Sequence, residues 1–320
     1  MKAYNLETAA RYREEVTELY LHRCGLPEVP SLVYDCPELR CFEFSNNGLA
    51  EAPPDLQRLP GLEQLSLAGN RLRELPDGLA RLTKLRRLDL SHNAIEELPA
   101  WVARLPRLEV LLLSGNRLTS LPPELGQCSR LRRLDASENK ISRLPAALGG
   151  LPALRILQLN GNRLRTLPAT LRGLSQLERL ELSGNRLKAL PGALCRGWPQ
   201  LSYLRLSENR LSDLPDELAA CSMLAHLDGS RNRLAALPAA IGQLSWLRQL
   251  HLHGNKLRQL PAALGEAGML RELDLSNNEL ETLPASLVQL ARLTRLDLSR
   301  NRLTALPPLP PHLTQLRLAH

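Results

Sequence analysis

The residues best equipped for chemistry fall into two groups. Tyr203 and His226 lie 23 residues apart, Arg205, Asp228 and His251 recur at the same step, and His253 follows His251 at strand spacing. Imidazoles beside a carboxylate suit a metal ion or a proton-linked switch. No cysteine or third imidazole shares the register, which is too few ligands for a zinc site. The six cysteines, Cys24, Cys36, Cys41, Cys128, Cys195 and Cys221, are far apart and form no C-x-x-C pair. That spacing predicts neither a zinc site nor a disulfide framework, and free thiols fit a reducing cytosol. Cys41 and Cys195 lack the histidine and carboxylate that would activate a thiol nucleophile. Neither G-x-x-x-x-G-K-[ST] nor H-R-D occurs, so no kinase or nucleotide-hydrolase site is expected. The expected chemistry is recognition, with no catalytic residue, metal or cofactor.

Something must position these side chains, and the composition limits what it can be. The chain has 320 residues, 43% hydrophobic and only 3% aromatic. A core built in the ordinary mixed way needs more rings than that. Charged residues at 23% and a mean hydropathy of -0.21 exclude a disordered polar chain. No apolar run reaches the ~18 residues of a membrane span. The opening Met-Lys-Ala-Tyr-Asn-Leu-Glu-Thr has no apolar stretch of the kind a signal peptide carries. A net charge of +8 points to no partner until its placement is known.

The answer is a repeat of 23 residues. Leu62-x-x-Leu65-x-Leu67-x-x-Asn70-x-Leu72-x-x-Leu75-Pro76-x-x-Leu79-x-x-Leu82 returns with the same spacing from Leu85 onward. Its asparagine column reads Asn47, Asn70, Asn93, Asn116, Asn139, Asn162, Asn185, Asn209, Asn232, Asn255, Asn278 and Asn301, with Cys24 one period before. The single 24-residue step, to Asn209, takes its extra residue within Cys195-Arg196-Gly197-Trp198-Pro199. Alternating Leu-x-Leu predicts a short strand with one buried face, and a unit this small must stack on its neighbours. Each asparagine offers a donor and an acceptor to the turn after the strand. The proline after each second-half leucine suits the first position of a one- or two-turn helix.

These residues resemble the leucine-rich-repeat family over roughly residues 16 to 318, in the 23-residue L-P-x-x-L-x-x-L class of intracellular scaffolds, plant Ras-group proteins and many bacterial proteins. The resemblance implies an α/β fold: a curved horseshoe solenoid with a parallel β-sheet on the concave face and short helices or turns on the convex face. Residues 1-15 are expected to form an N-terminal cap, helical over Asn5 to Glu15 behind an asparagine cap. Residues 16-320 then form one domain of about 13–14 repeats. The last unit, Leu306-Pro307-Pro308-Leu309-Pro310-Pro311-His312-Leu313, shortens to about 20 residues and resembles the repeat of type III-secreted bacterial effectors. This end is expected to leave Leu316 and Leu318 without a polar cap, so that either a further domain once followed or the short turn closes the stack unaided.

Residues flanking the middle strand leucine should face the concavity. Fourteen strands at about 4.8 Å give a surface on the order of 65 Å long, of which part supplies a standard protein interface. Two places depart from its charged background. Val110, Leu112 and Ile156, ringed by Asp89, Arg133, Asp135 and Gln158, read either as an apolar contact island or as tolerated strand aliphatics. Tyr203, Arg205, His226, Asp228 and His251 form the second cluster. A ridge of Arg71, Arg117, Lys140, Arg163, Arg186, Arg210, Arg233, Lys256 and Arg302 follows the asparagines along one edge. Long stems covering leucines explain it without a ligand, and an anionic surface is the alternative. Nucleic acid is not expected, since no aromatics interleave the ridge, and no lipidation motif marks a membrane anchor. Trp101 on the convex side and Trp246 at an edge read either as exposed contact residues or as packed over a neighbouring repeat, and Trp198 is expected in the core.

The functional expectation is a non-catalytic, cytoplasmic, monomeric scaffold that binds protein partners through its concave face in signalling or regulation. Two alternatives stay open: a bacterial effector secreted without a signal peptide and acting on host proteins, and the recognition half of a separate or lost kinase, GTPase or ubiquitin-ligase module, with contact through the uncapped end.

Overall fold

The computed structural model describes residues 1–318. Within them fifteen short strands, all parallel, follow one another in chain order, and most of the returns between them are five-residue 3-10 turns. No helix is long and apolar enough to cross a membrane. The chain packs as two units, Met1–Ile156 and Leu157–His320.

In the first unit the central strand residues Leu19, Phe42, Leu65 and Leu88 pair in succession, as do Leu88, Leu111 and Leu134. All are buried, because alternate residues of a strand point to opposite faces and the middle one points inward. Fourteen strands were expected and fifteen are present: Lys2–Ala3 pairs with Glu18–Tyr20 and opens the series. The cap helix is shorter than the sequence suggested, Leu6–Arg11. Asn5 caps it, its side chain accepting from Thr8 N at 2.8 Å, and Ala9 and Val16 are buried beneath it.

In the second unit Leu180, Leu204, Leu227, Leu250, Leu273, Leu296 and Leu316 are paired in the same way. The extra residue of the 24-residue step does not disturb this register, since Tyr203–Arg205 lies squarely against Arg179–Glu181. The insertion is taken up behind, in the one-turn helix Gly192–Cys195 and the residues after it. There Gly197 comes so close to the preceding repeat that a Cβ would lie 1.9 Å from the Arg172 carbonyl. Trp198 is fully buried, as expected, and its indole N–H donates to Leu171 O at 2.9 Å.

Two expectations about the turns are corrected, and the open reading of Trp101 is settled. The repeat proline stands before the 3-10 turn, as with Pro76 at φ -72° and ψ 146°, and not at its first position. Its carbonyl accepts the first turn bond, from Leu79 N at 3.2 Å, so what matters is its fixed φ rather than its missing N–H. Most returns are 3-10 turns instead of α-helices, the tighter form that short connecting pieces commonly take. Trp101 is 5% exposed and folds into the packed side of Ala100–Arg104. Trp246, by contrast, is 48% exposed.

The asparagine ladder holds each repeat to the one before. Asn185 Nδ2 donates to Leu159 O and Leu182 O, both at 2.9 Å, while its Oδ1 accepts from Leu164 N at 3.0 Å. The residue just before each ladder asparagine has a left-handed backbone, glycine at Gly69, Gly115, Gly184 and Gly254 and a larger residue at His92, Glu138 and Glu208. The Gly-Asn pairs were the sequence signal for this turn. The first rung differs: the Cys24 side chain is exposed, and its N–H donates to Asn47 Oδ1 at 3.0 Å.

Candidate functional site

The side chains flanking each middle leucine project from the open face of the sheet. Every expected contact residue is there, but the two clusters differ in quality. In the first unit the apolar island is smaller than it looked. Leu112 is 8% exposed, and Val110 and Ile156 are half-buried. Leu112 sits in register between Asp89 and Asp135, whose carboxylates face the Arg87 and Arg133 guanidiniums at 3.3 and 3.9 Å. These long paired side chains leave little of it to a partner. Gln158, expected on the rim of the island, belongs to the second unit, where its amide donates to Glu181 Oε1 at 3.2 Å.

The second unit carries the more ordered arrangement, built across four adjacent strands. The Arg179 guanidinium carbon lies 3.9 Å above the centre of the Tyr203 ring. On the next strand His226 stacks against Tyr203, ring centres 4.3 Å apart and planes within 4°. His251 follows on the strand after and meets His226 edge-on at 5.3 Å and 84°. Parallel in-register pairing places Tyr203 beside His226, and a ladder spacing of about 4.8 Å leaves room for offset ring contact.

Polar contacts fix the rings. His226 Nδ1 lies 2.9 Å from Gln249 Oε1, so the N–H sits on Nδ1, and Gln249 Nε2 donates to Glu272 Oε2 at 2.9 Å. His251 Nε2 faces Glu272 Oε1 at 3.6 Å, and His253 Nδ1 faces Asp274 Oδ2 at 3.2 Å. Burial pushes the His226 imidazole below the usual histidine range, and nearby His251 pushes the same way against the Gln249 bond. Arg205 Nε lies 3.5 Å from Asp228 Oδ2. Asp228 is itself held by Ser230, which donates from its backbone N at 3.0 Å and its hydroxyl at 2.6 Å.

Arg179 and Glu181 belong to the site, though sequence reasoning did not single them out. Glu181 is 4% exposed and takes hydrogen bonds from Arg179 Nε and, at 2.7 Å, from Asn160 Nδ2. Burial raises its carboxyl pKa, but the bonds from Asn160 and Arg179 outweigh it and the net shift is downward. The signal was present in the columns as an Arg-Leu-Glu strand preceding Tyr-Leu-Arg.

The cluster holds flat rings, guanidiniums and carboxylates, but no activated nucleophile. Among the described residues no group of three or more His, Cys, Asp or Glu is arranged to take a metal ion. Cys41 is half-buried on the open face of the first unit, and burial pushes its thiol up.

The leucine rich repeat profile matches this sequence in overlapping segments from residue 37 to residue 303, and a second profile of the same repeat matches residues 292–316. The chain belongs to the leucine-rich-repeat family. Among solved structures, this leucine-rich-repeat protein is similar to one from Leptospira interrogans, at 30% identity and a TM-score of 0.78, covering 96% of this chain and 90% of that one. A plant peptide hormone receptor, RGFR1 in complex with RGF2, is 26% identical at a TM-score of 0.72, covering 95% of this chain and 59% of the receptor. An internalin from Listeria monocytogenes shares the fold at 23% identity and a TM-score of 0.84, covering 97% of this chain and 89% of that one. No curated protein matches the sequence. The fold is the leucine-rich-repeat solenoid, an architecture that fits a protein-interaction scaffold.

Proposed function

We propose that this protein is a non-catalytic, monomeric, protein-binding scaffold of cytoplasmic signalling or regulation, reading its partner with the open face of the sheet. Residues 1–15 cap a single repeat domain over the rest of the chain. The observation that carries the reading is the continuous stack Arg179, Tyr203, His226 and His251 on four successive strands. Aromatic and arginine side chains dominate contact energies at protein interfaces. Here their rotamers are already held by Glu181, Gln249 and Glu272, so binding costs little further ordering. Arg205 and Asp228 flank the stack, and Asp89, Val110, Arg133, Asp135 and Ile156 offer a second contact area on the first unit. The plant receptor bound to RGF2 supports the reading as a relative that holds a peptide hormone. Six thiols without a disulfide support the cytoplasm as its place.

Peptide-display selection on the wild-type chain, followed by titration of each selected ligand, tests this. Tyr203→Ala with His226→Ala should weaken the ligands about tenfold or more. Val110→Asp and Ile156→Asp should weaken only ligands that use the first unit. Leu112 is unsuited to the purpose, because a charge placed at so buried a position reports on folding. Ligands that bind every one of these variants as tightly as the wild type would overturn the open-face reading.

A further inference from the structure

The position immediately after the ladder asparagine collects an unusual share of the protein's charge. Its nine cations and one anion, Glu279, give a net +8, equal to the net charge of the whole chain. Everywhere else basic and acidic side chains balance. On the open face of the second unit they also pair, as in Arg179 with Glu181, Arg205 with Asp228 and Arg295 with Glu272.

The edge is different. Arg163, Arg186, Arg210, Arg233 and Lys256, one per successive repeat of the second unit, are all exposed, and among the described residues none lies within ion-pair distance of a carboxylate. Arg165 and Lys188 add a second exposed, unpaired row beside them. The acidic side chains that follow or precede the row in this stretch are already engaged: Asp213 takes a hydrogen bond from Ser212 Oγ at 2.7 Å, and Glu208 pairs with Arg231 at 2.8 Å. The backbone of the row is fixed: the N–H groups of Arg186, Arg210, Arg233 and Lys256 each donate to the carbonyl of the repeat before, at 2.8 to 2.9 Å. The charges therefore stand at repeat spacing, and covering leucines does not require all of them to be cationic. Fixed like charges at about 5 Å repel one another. A surface that keeps them without counter-charges is matched by an anion from outside.

We propose that this edge of the second unit is a docking surface for an acidic polypeptide segment, an extended run of aspartate and glutamate in a partner protein. Five repeats span about 20 Å, the length of about six extended residues. Seven cations over that length match one carboxylate per residue. Guanidinium, the head group at five of the seven positions, pairs with carboxylate in bidentate geometry. Single-stranded nucleic acid carries charge at a similar density, but the row has no aromatic side chain on which bases could stack. An anionic membrane calls for apolar side chains to bury at the interface. The exposed tryptophan of this unit, Trp246, precedes its strand, whereas the basic row follows the strands. This edge is separate from the open-face site, and its occupancy depends on neither Tyr203 nor His226.

The test uses the full chain and a fluorescent octaglutamate peptide, read by anisotropy at low and physiological salt, with an octaglutamine peptide as control. Arg186→Glu, Arg210→Glu and Arg233→Glu are combined in one variant; all three side chains are exposed, and its far-ultraviolet spectrum and melting curve confirm that it folds. The wild type should bind octaglutamate at least about tenfold more tightly than the triple variant, with affinity falling as salt rises. Equal binding by the two proteins, or no preference for octaglutamate over octaglutamine, overturns the proposal. So does tighter binding of an eight-nucleotide DNA strand, or of phosphatidylserine vesicles over phosphatidylcholine vesicles, with octaglutamate left unbound.

Discussion

Glu181 illustrates how much one residue does that its column alone does not reveal. A carboxylate 4% exposed on the outer face of a sheet is expensive unless it is paired, and Asn160 and Arg179 pair it. Its pKa in the folded protein lies below the ordinary value of 4.5. Its contribution to stability is therefore present above that ordinary value and is lost as pH falls through the lower, folded one. Glu181→Leu should cost about 1–2 kcal/mol at pH 7, the lower end for a broken pair because Arg179 keeps its access to water. The difference from wild type should shrink as urea melts are taken from pH 6 down to pH 3; a constant difference would mean that ionisation of Glu181 is not the cause. The pattern Arg-Leu-Glu placed both side chains on one face, since alternation alone settles the face. It left open whether they turn toward each other or toward solvent, because that depends on Tyr203 and Asn160 in neighbouring repeats.

At the level of elements, the strand and the ladder were legible because each is fixed within a single repeat. The spacing of Leu65, Leu67 and Asn70 specifies which residue is buried, which pairs and which turns the chain. The turns were read less well. Position after proline does not distinguish a 3-10 turn from an α-turn, and whether Trp101 packs or stands exposed is decided by the neighbouring repeat; it is buried. The strand Lys2–Ala3 lies outside the repeat, and nothing in its two residues marks it as a strand apart from the neighbour it pairs with. The ladder gives the clearest expectation. Asn185→Ala leaves the buried Leu164 N without its acceptor, and removes one donor from Leu159 O and Leu182 O, which Asn162 and Asn209 still serve. An unpaired buried group costs about 1–3 kcal/mol, and the variant should lose about that much in denaturant titration. Asn301→Ala, at a half-buried rung, should lose less. Equal losses at the two rungs would place the cost in the side chain itself and not in the groups it serves.

The whole molecule explains the odd composition: leucine fills a narrow layer that is repeated, so the core lengthens without widening and needs few aromatics. It also makes the thiols a gauge of folding. Cys36, Cys128, Cys195 and Cys221 are buried and Cys24 is exposed; burial pushes the Cys128 thiol up to about 11 and raises that of Cys36. A thiol reagent at pH 8 should modify Cys24 quickly and half-buried Cys41 slowly, with the other four reacting only as denaturant opens the chain. Fast modification of all six in native buffer would contradict the packing described. The 24-residue step, finally, sets a rule for editing the gene. Because its extra residue was absorbed behind Gly192–Cys195 while Leu180 and Leu204 stayed aligned, insertions are tolerated on the turn side of a repeat. A single codon gained or lost between the first strand leucine and the asparagine would turn that strand's apolar residues outward. Length drift should therefore accumulate in the returns, and whole 23-residue blocks can be duplicated or deleted in frame with the sheet.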